Sequence, residues 1–305
     1  MHDEKLLMAE AATLYYEKNC TQQEIADALK LSRQTVSKLL NDAIKERVVE
    51  ITIHNPKADC EILEKQLCDR FGITTAVVCS VSSKNESVRQ LKTVKTAADY
   101  IAPIAQKGGL RIAVSWGRTI EALSAEFPNL HTEDNLVFPL FGATDHGKPC
   151  FSSNELARGI ADKLGAEVRY AWFPYMPDNP DDCNLFKTTS YYKKLQTLWE
   201  TIDLAIVGIG NTEVLELFGK TFGYREQRSE VIGDVATHFF AQDGAFLDLY
   251  DNTLCASAND LKAAKQTVAI ACGESKVQAI AGALRTGWID TLITDEYTAK
   301  ELLGI

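Results

Sequence analysis

The sequence predicts an α/β protein in two parts, a short helical module at the N-terminus and one large doubly wound domain after it. Three observations carry that prediction. The chain has 305 residues, more than one average domain holds and well suited to a small domain plus a large one. Its first 55 residues place apolar side chains at helical spacing, whereas beyond residue 71 short apolar runs alternate with amphipathic stretches. The runs themselves, of which Leu204-Ala205-Ile206-Val207 is typical, are apolar at successive positions, as strands covered on both faces by helices must be.

Composition narrows the classes of function. Hydrophobic residues at 46% and charged residues at 24% are ordinary for a folded globular protein and argue against disorder. No run of eighteen apolar residues occurs, and Met1-His2-Asp3-Glu4-Lys5 carries acids where a secretory signal carries bases, so a cytoplasmic protein is expected. The eight cysteines are scattered without a Cys-x-x-Cys pair and read as reduced thiols. The five histidines are equally dispersed, so neither a metal site nor a cofactor is expected. A net charge of −10 disfavours indiscriminate binding to nucleic acid. Residues 1–55 hold seven Lys/Arg against nine Asp/Glu, so a basic face there has to come from placement rather than excess.

The elements follow in order. Leu6, Leu7, Ala11, Leu14 and Tyr15 mark a first helix. Thr21-Gln22-Gln23-Glu24 is a capping box that starts a second helix, Gln22 to Leu29, and Ser32 caps a third that runs to about Ile44. Val48-Val49-Glu50-Ile51-Thr52-Ile53 alternates as a half-buried strand would, completing a winged module before His54-Asn55-Pro56. Residues 59–71 form an amphipathic helix with Ile62, Leu63, Leu67 and Phe71 on one side, suited to docking, to joining the domains or to pairing subunits. Strands are expected at Ala76–Cys79, Ile112–Ser115, Leu136–Phe141, Val168–Phe173, Leu204–Ile209, Val268–Cys272 and Thr291–Thr294. Helices are expected at Ser87–Ala105, Ile120–Phe127, Asn154–Leu164 and Lys276–Arg285, with Pro174–Asp182 as a loop. The domain boundaries are therefore 1–55 and 56–305.

Between Gln22 and Asn41 the pattern is that of a helix-turn-helix. Ile25, Leu29, Leu31, Val36 and Leu39 stand where two crossing helices touch, and Ala26 is small where the second presses on the first. The outer face of the third helix carries Arg33, Gln34, Thr35, Ser37 and Lys38, side chains that donate to guanine, pair with adenine or hold phosphate oxygens. Thr21 and Gln22, at the start of the preceding helix, are counted with them as DNA-binding candidates. Lys30 stands at the turn position that glycine usually fills, at about 1 kcal/mol of backbone strain. One such module reads a few base pairs, so specificity requires at least two copies and a homo-oligomer.

Three strand-to-helix turns carry the chemistry of the large domain: Ser115-Trp116-Gly117-Arg118-Thr119, Gly208-Ile209-Gly210-Asn211 and Cys272-Gly273-Glu274-Ser275-Lys276. In each, glycine permits close approach of a ligand, and the helix starts favour an anion that Lys276 could pair with. A dinucleotide site is disfavoured, because Glu213 occupies the place of the third fingerprint glycine.

Together these segments resemble the SorC family of sugar-responsive bacterial regulators across essentially the whole chain. The resemblance rests on Leu14-Tyr15-Tyr16, Thr21 to Ala26, Ser32 to Leu40, Ser115 to Thr119, Asn154, Asp203 to Gly210, Gly233-Asp234-Val235 and Leu292 to Asp295. It implies a repressor or activator of carbohydrate genes that binds operator DNA. The implied sensor domain is Rossmann-like and similar to sugar-phosphate isomerases and deaminases, and it assembles into dimers or tetramers. It further implies an effector site formed by Gly117, Arg118, Thr119, Gly142, Asn154, Gly210, Asp234 and Lys276, with Asp234 accepting from sugar hydroxyls and Lys276 pairing with phosphate. Cys272-Gly273 stands in place of the family's Gly-Gly, and Ala241 in place of an aspartate. The competing reading is an isomerase-like enzyme with a DNA-binding appendage, which lacks a His/Asp/Glu cluster to act as enediol base.

Overall fold

The computed structural model describes residues 2–49, 56–144, 150, 152–213, 228–250 and 252–304. The chain divides into two compact units, Met1–Asn55 and Pro56–Ile305, each with its own hydrophobic core.

The N-terminal unit is helical. Helix α1 (His2–Ala12) runs into a π-helical turn over Thr13–Glu17, and α2 (Gln22–Leu29) and α3 (Arg33–Lys45) follow. The capping box starts α2: Thr21 Oγ1 accepts from the Glu24 amide at 3.3 Å, and Glu24 Oε2 accepts from the Thr21 amide at 2.7 Å. The helix ends at Lys30, whose φ of 56° and ψ of 42° are left-handed. Ser32 Oγ then accepts from the Thr35 amide at 3.0 Å and starts α3. So short a turn makes the two helices cross, and Ile25, Ala26, Val36 and Leu39 bury against one another with Met8, Ala11 and Ala12 of α1. Val48 and Val49 pack on this core without forming a strand. The remainder of the predicted wing strand, residues 50–53, lies outside the described residues.

The C-terminal unit opens with α4 (Pro56–Phe71), β1 (Thr75–Cys79), α5 (Glu86–Ala105), β2 (Arg111–Val114), α6 (Arg118–Glu126) and β3 (Leu136–Pro139). It continues through α7 (Ser153–Leu164), β4 (Glu167–Val168), α8 (Pro180–Thr188), α9 (Ser190–Trp199) and β5 (Leu204–Asn211). Three short strands follow, β6 (Gly233–Val235), β7 (His238–Phe240) and β8 (Phe246–Leu247). The last elements are α10 (Ala258–Ala263), β9 (Thr267–Ile270), α11 (Val277–Arg285), β10 (Thr291–Asp295) and α12 (Glu296–Gly304).

Parallel pairing gives the order β1-β10-β9-β5-β2-β3-β4. After β2 the chain steps outward through β3 to β4, returns with β5 to the other side of β2, and steps outward again through β9 to β10. The order thus reverses between β2 and β5, where loops leaving adjacent strands diverge and open a crevice at the carboxyl edge.

Among the departures from the predicted elements, three have a local cause or consequence in the C-terminal unit. The strand expected at Val168–Phe173 stops at Val168, because the amide and carbonyl of Ala171 are taken by the Asn154 side chain at 2.9 and 3.1 Å instead of by the sheet. The loop expected over Pro174–Asp182 ends early: Asn179 Oδ1 accepts from the Asp182 amide at 2.8 Å, and Pro180 begins α8. Finally, β5 overruns its parallel neighbours, and its end pairs antiparallel with β6, which continues into β7 and β8.

Candidate functional site

A cavity of about 580 Å³ opens at the carboxyl edge of the sheet, where the strand order reverses. All three glycine turns line it: Ser115–Thr119 after β2, Gly208–Asn211 at the end of β5, and Ala271, Cys272, Ser275 and Lys276 after β9. Gly117 and Gly273 adopt φ of 110° and 114°, which a side chain would strain. Each immediately precedes a helical turn, α6 in one case and the 3-10 turn Glu274–Lys276 in the other, and neither helix start has a side-chain cap. The Gly117 turn is further held by its amide, which donates to the Cys150 carbonyl at 2.7 Å.

Two cations and a buried acid set the electrostatics. Lys276 is half-buried and its Nζ donates to the Ile209 carbonyl at 2.9 Å. Burial, followed by the neighbouring Arg118 charge, lowers its pKa, while Cys272, Asp234 and Glu213 act against that shift. Arg118 is exposed at the mouth, 4.0 Å from Glu213. Asp234 is 4% exposed and arrives through the β5–β6 pairing, which sets it opposite Gly210. Its Oδ2 accepts from the Thr237 amide at 3.2 Å, yet burial pushes the carboxyl up to about 6, with that amide and Lys276 pulling the other way. The cavity therefore offers amides and ammonium to an anion, and a carboxylate to hydroxyl donors.

Of the residues singled out in the sequence, Gly117, Arg118, Thr119, Gly210, Asp234 and Lys276 come together on this lining. Gly142 and Asn154 do not. A Cβ on Gly142 would lie 2.5 Å from the Pro174 backbone, and its amide donates to the Leu254 carbonyl at 2.9 Å, so this glycine serves a close packing of loops. Asn154 spends its whole amide group on the Ala171 backbone. The structure adds Glu86, Gln90 and Thr93 of α5 and Glu213 beyond β5. No glycine marks the β1–α5 turn, so the sequence carries no signal for the first three; Glu213 stands three residues beyond Gly210 and was legible from that spacing.

The N-terminal unit presents Arg33, Gln34 and Lys38 exposed on α3, with Ser37 half-buried. Thr35 Oγ1 lies 2.7 Å from Ser32 Oγ and the Thr21 hydroxyl donates to Glu24 Oε2 at 2.9 Å, so both threonines are committed to caps. Thr21, Gln22 and Arg33 share one open groove with Tyr15, Asn19, Cys20 and Gln23. Among the described residues no helix is long and apolar enough to cross a membrane.

Similarity to known proteins follows this division. The sugar-binding domain family matches residues 55–304, and the MarR family matches residues 11–59. The sorbitol operon regulator of Klebsiella pneumoniae is 30% identical, over 99% of this chain and 98% of its own length. The deoxyribonucleoside regulator of Bacillus subtilis strain 168 is 25% identical, over 99% of this chain and 98% of its own. The crystal structure of the full-length sorbitol operon regulator SorC from Klebsiella pneumoniae matches with a TM-score of 0.74 at 29% identity, covering 99% of each chain.

Proposed function

The chain belongs to the SorC family of sugar-responsive transcriptional regulators and is a DNA-binding regulator of carbohydrate operons; from that premise we propose that its effector is a phosphorylated sugar held in the cavity between β2 and β5. The observation that carries the proposal is the meeting of Lys276, Arg118 and two glycine-led helix starts with the buried Asp234 carboxyl in one cavity. Its volume, about 580 Å³, falls within the range of small-molecule sites. The phosphate lies against the Gly117 and Gly273 turns, where amides and Lys276 converge, and Asp234 accepts from the sugar hydroxyls.

In this reading residues 1–55 bind the operator and residues 56–305 bind effector and assemble the oligomer, a dimer or tetramer, since one module reads too few base pairs alone. Arg33, Gln34, Ser37 and Lys38 face the DNA, with Thr21, Gln22 and Thr35 fixing the helix starts. The protein works in the cytoplasm, where its DNA is. Effector binds without turnover: among the described lining residues Asp234 is the one buried carboxyl, and no histidine accompanies it.

The test is a thermal-shift panel of phosphorylated sugars and their unphosphorylated counterparts on the full chain. A phosphorylated member at 100 times its Kd stabilises by about 2.7 kcal/mol, or roughly 5–10 °C for a domain of this size. Stabilisation by unphosphorylated sugars alone removes the phosphate from the reading. Conversion of any panel member to product restores the isomerase.

A further inference from the structure

Asp295 and Thr298 sit at the junction of β10 and α12, 0% and 1% exposed. Asp295 Oδ1 accepts from the amides of Tyr297 and Thr298 at 2.8 and 3.0 Å, which caps α12. That role needs no more than those two bonds. Yet Oδ2 also takes the Thr298 hydroxyl proton at 2.9 Å, and Thr298 Oγ1 accepts from the Gly273 amide at 2.9 Å, reaching an element 25 residues away. A carboxylate only accepts, so it turns the single hydroxyl hydrogen toward itself and leaves a lone pair for Gly273. The ladder explains why Gly273 needs one. Ala271 makes the last bond to β10, its amide donating to the Ile293 carbonyl at 3.1 Å, and the chain then leaves the sheet. From α5 the buried Arg89 lies 3.8 Å from Glu274, and the Glu86 carboxylate sits against Gly273.

We propose that Thr298, oriented by Asp295, is a positioning residue for the Gly273–Lys276 turn: it fixes the Gly273 amide and thereby the point at which the turn's amides and Lys276 meet the effector's anion. The proposal rests on the cavity being a phosphate site. Thr298 is outside the cavity lining, so its effect on affinity travels only through the turn.

Titration calorimetry of the full chain with inorganic phosphate tests it. Thr298→Val leaves the Gly273 amide without its acceptor and is expected to weaken phosphate about tenfold, which is 1.4 kcal/mol. Thr298→Ser restores the hydroxyl and stays within about twofold of the parent, a rescue that general loosening of the fold would not give. Thr294→Val, deleting a buried hydroxyl without a hydrogen-bond partner one residue before Asp295, leaves phosphate affinity unchanged. Should Thr298→Val not fold, Thr298→Ala, which removes the same acceptor, replaces it, and the same weakening is expected. Parent-like affinity in folded Thr298→Val or Thr298→Ala, or failure of Thr298→Ser to rescue, overturns the proposal. Equal affinity of parent and Lys276→Met overturns the phosphate reading and the turn's purpose with it. Loss in Lys276→Met beside a parent-like Thr298→Val overturns the positioning role alone.

Discussion

Replacing Asp234 with asparagine should stabilise the protein while weakening the proposed effector site. Burial raises this carboxyl from 3.8 to about 6. At about 1.4 kcal/mol per pKa unit, keeping it ionised costs the folded state up to about 3 kcal/mol relative to the unfolded chain. The folded state holds the proton more tightly, so this contribution is fully present below about pH 4 and is lost as pH rises through 6. Asparagine still accepts from the Thr237 amide and carries no charge. At pH 7.5 Asp234→Asn is therefore expected to melt roughly 6–12 °C above the parent, at 2–4 °C per kcal/mol for a domain this large. The gap should close as pH falls toward 4. His238 bends both curves: burial lowers its pKa, so folding loses stability as pH drops below the ordinary value of 6.5. It is common to both proteins and cancels in the difference. Thermal unfolding of parent and variant from pH 4 to 8 reads the effect directly. A variant less stable than the parent at pH 7.5, or a gap indifferent to pH, would refute the burial argument.

Arg33→Ala or Gln34→Ala should weaken operator binding by about 1–3 kcal/mol each, whereas Lys38→Ala should lower affinity for all sequences and reduce the salt slope by roughly one; fluorescence anisotropy on operator and scrambled DNA separates the two. Lys30→Gly relieves the left-handed turn and should stabilise the N-terminal unit by about 1 kcal/mol, read by denaturant unfolding of that unit's signal. Asn154→Ala strands the Ala171 backbone groups and should cost about 1–3 kcal/mol of stability while leaving the affinity of a stabilising sugar phosphate within twofold. Asp203→Ala removes the buried carboxylate that Arg111 and Lys265 approach at 2.9 and 2.7 Å and strands the Arg111 amide; because both cations stay in contact with solvent, a loss of about 1–3 kcal/mol in urea unfolding is expected.

The crossed helix pair was legible because local rules place it: the caps Thr21 and Ser32, the small Ala26 and the apolar positions between them depend on neighbours a few residues away. The parallel strands were legible because burial on both faces makes their middles apolar at successive positions, as in Leu204–Val207. Three sides of the cavity were legible for a similar reason, since Gly117, Gly210 and Gly273 mark strand ends. Asp234 was placed only by resemblance. What brings it in is the pairing of β5 with β6, a register between distant segments that no local pattern records. Glu86, Gln90 and Thr93 were invisible because α5 crosses the sheet from its far edge and carries no turn signal. Gly142 and Asn154 misled in the other direction: both are special for packing, and a motif does not distinguish close packing from contact with a ligand.

The most direct test is the effector midpoint for the change in operator affinity, measured for parent and Lys276→Met with the phosphorylated sugar that the panel identifies. A hydrogen bond to a charged group contributes about 1.5–3 kcal/mol, so the midpoint of the variant should rise on the order of 10–150-fold. Effector-free operator affinity should stay nearly unchanged, because Lys276 lies outside the helix-turn-helix module, and effector acts only through its differential affinity for the two DNA-binding states. Equal midpoints for parent and variant would contradict the placement of the phosphate beside Lys276, and with it the proposed effector site.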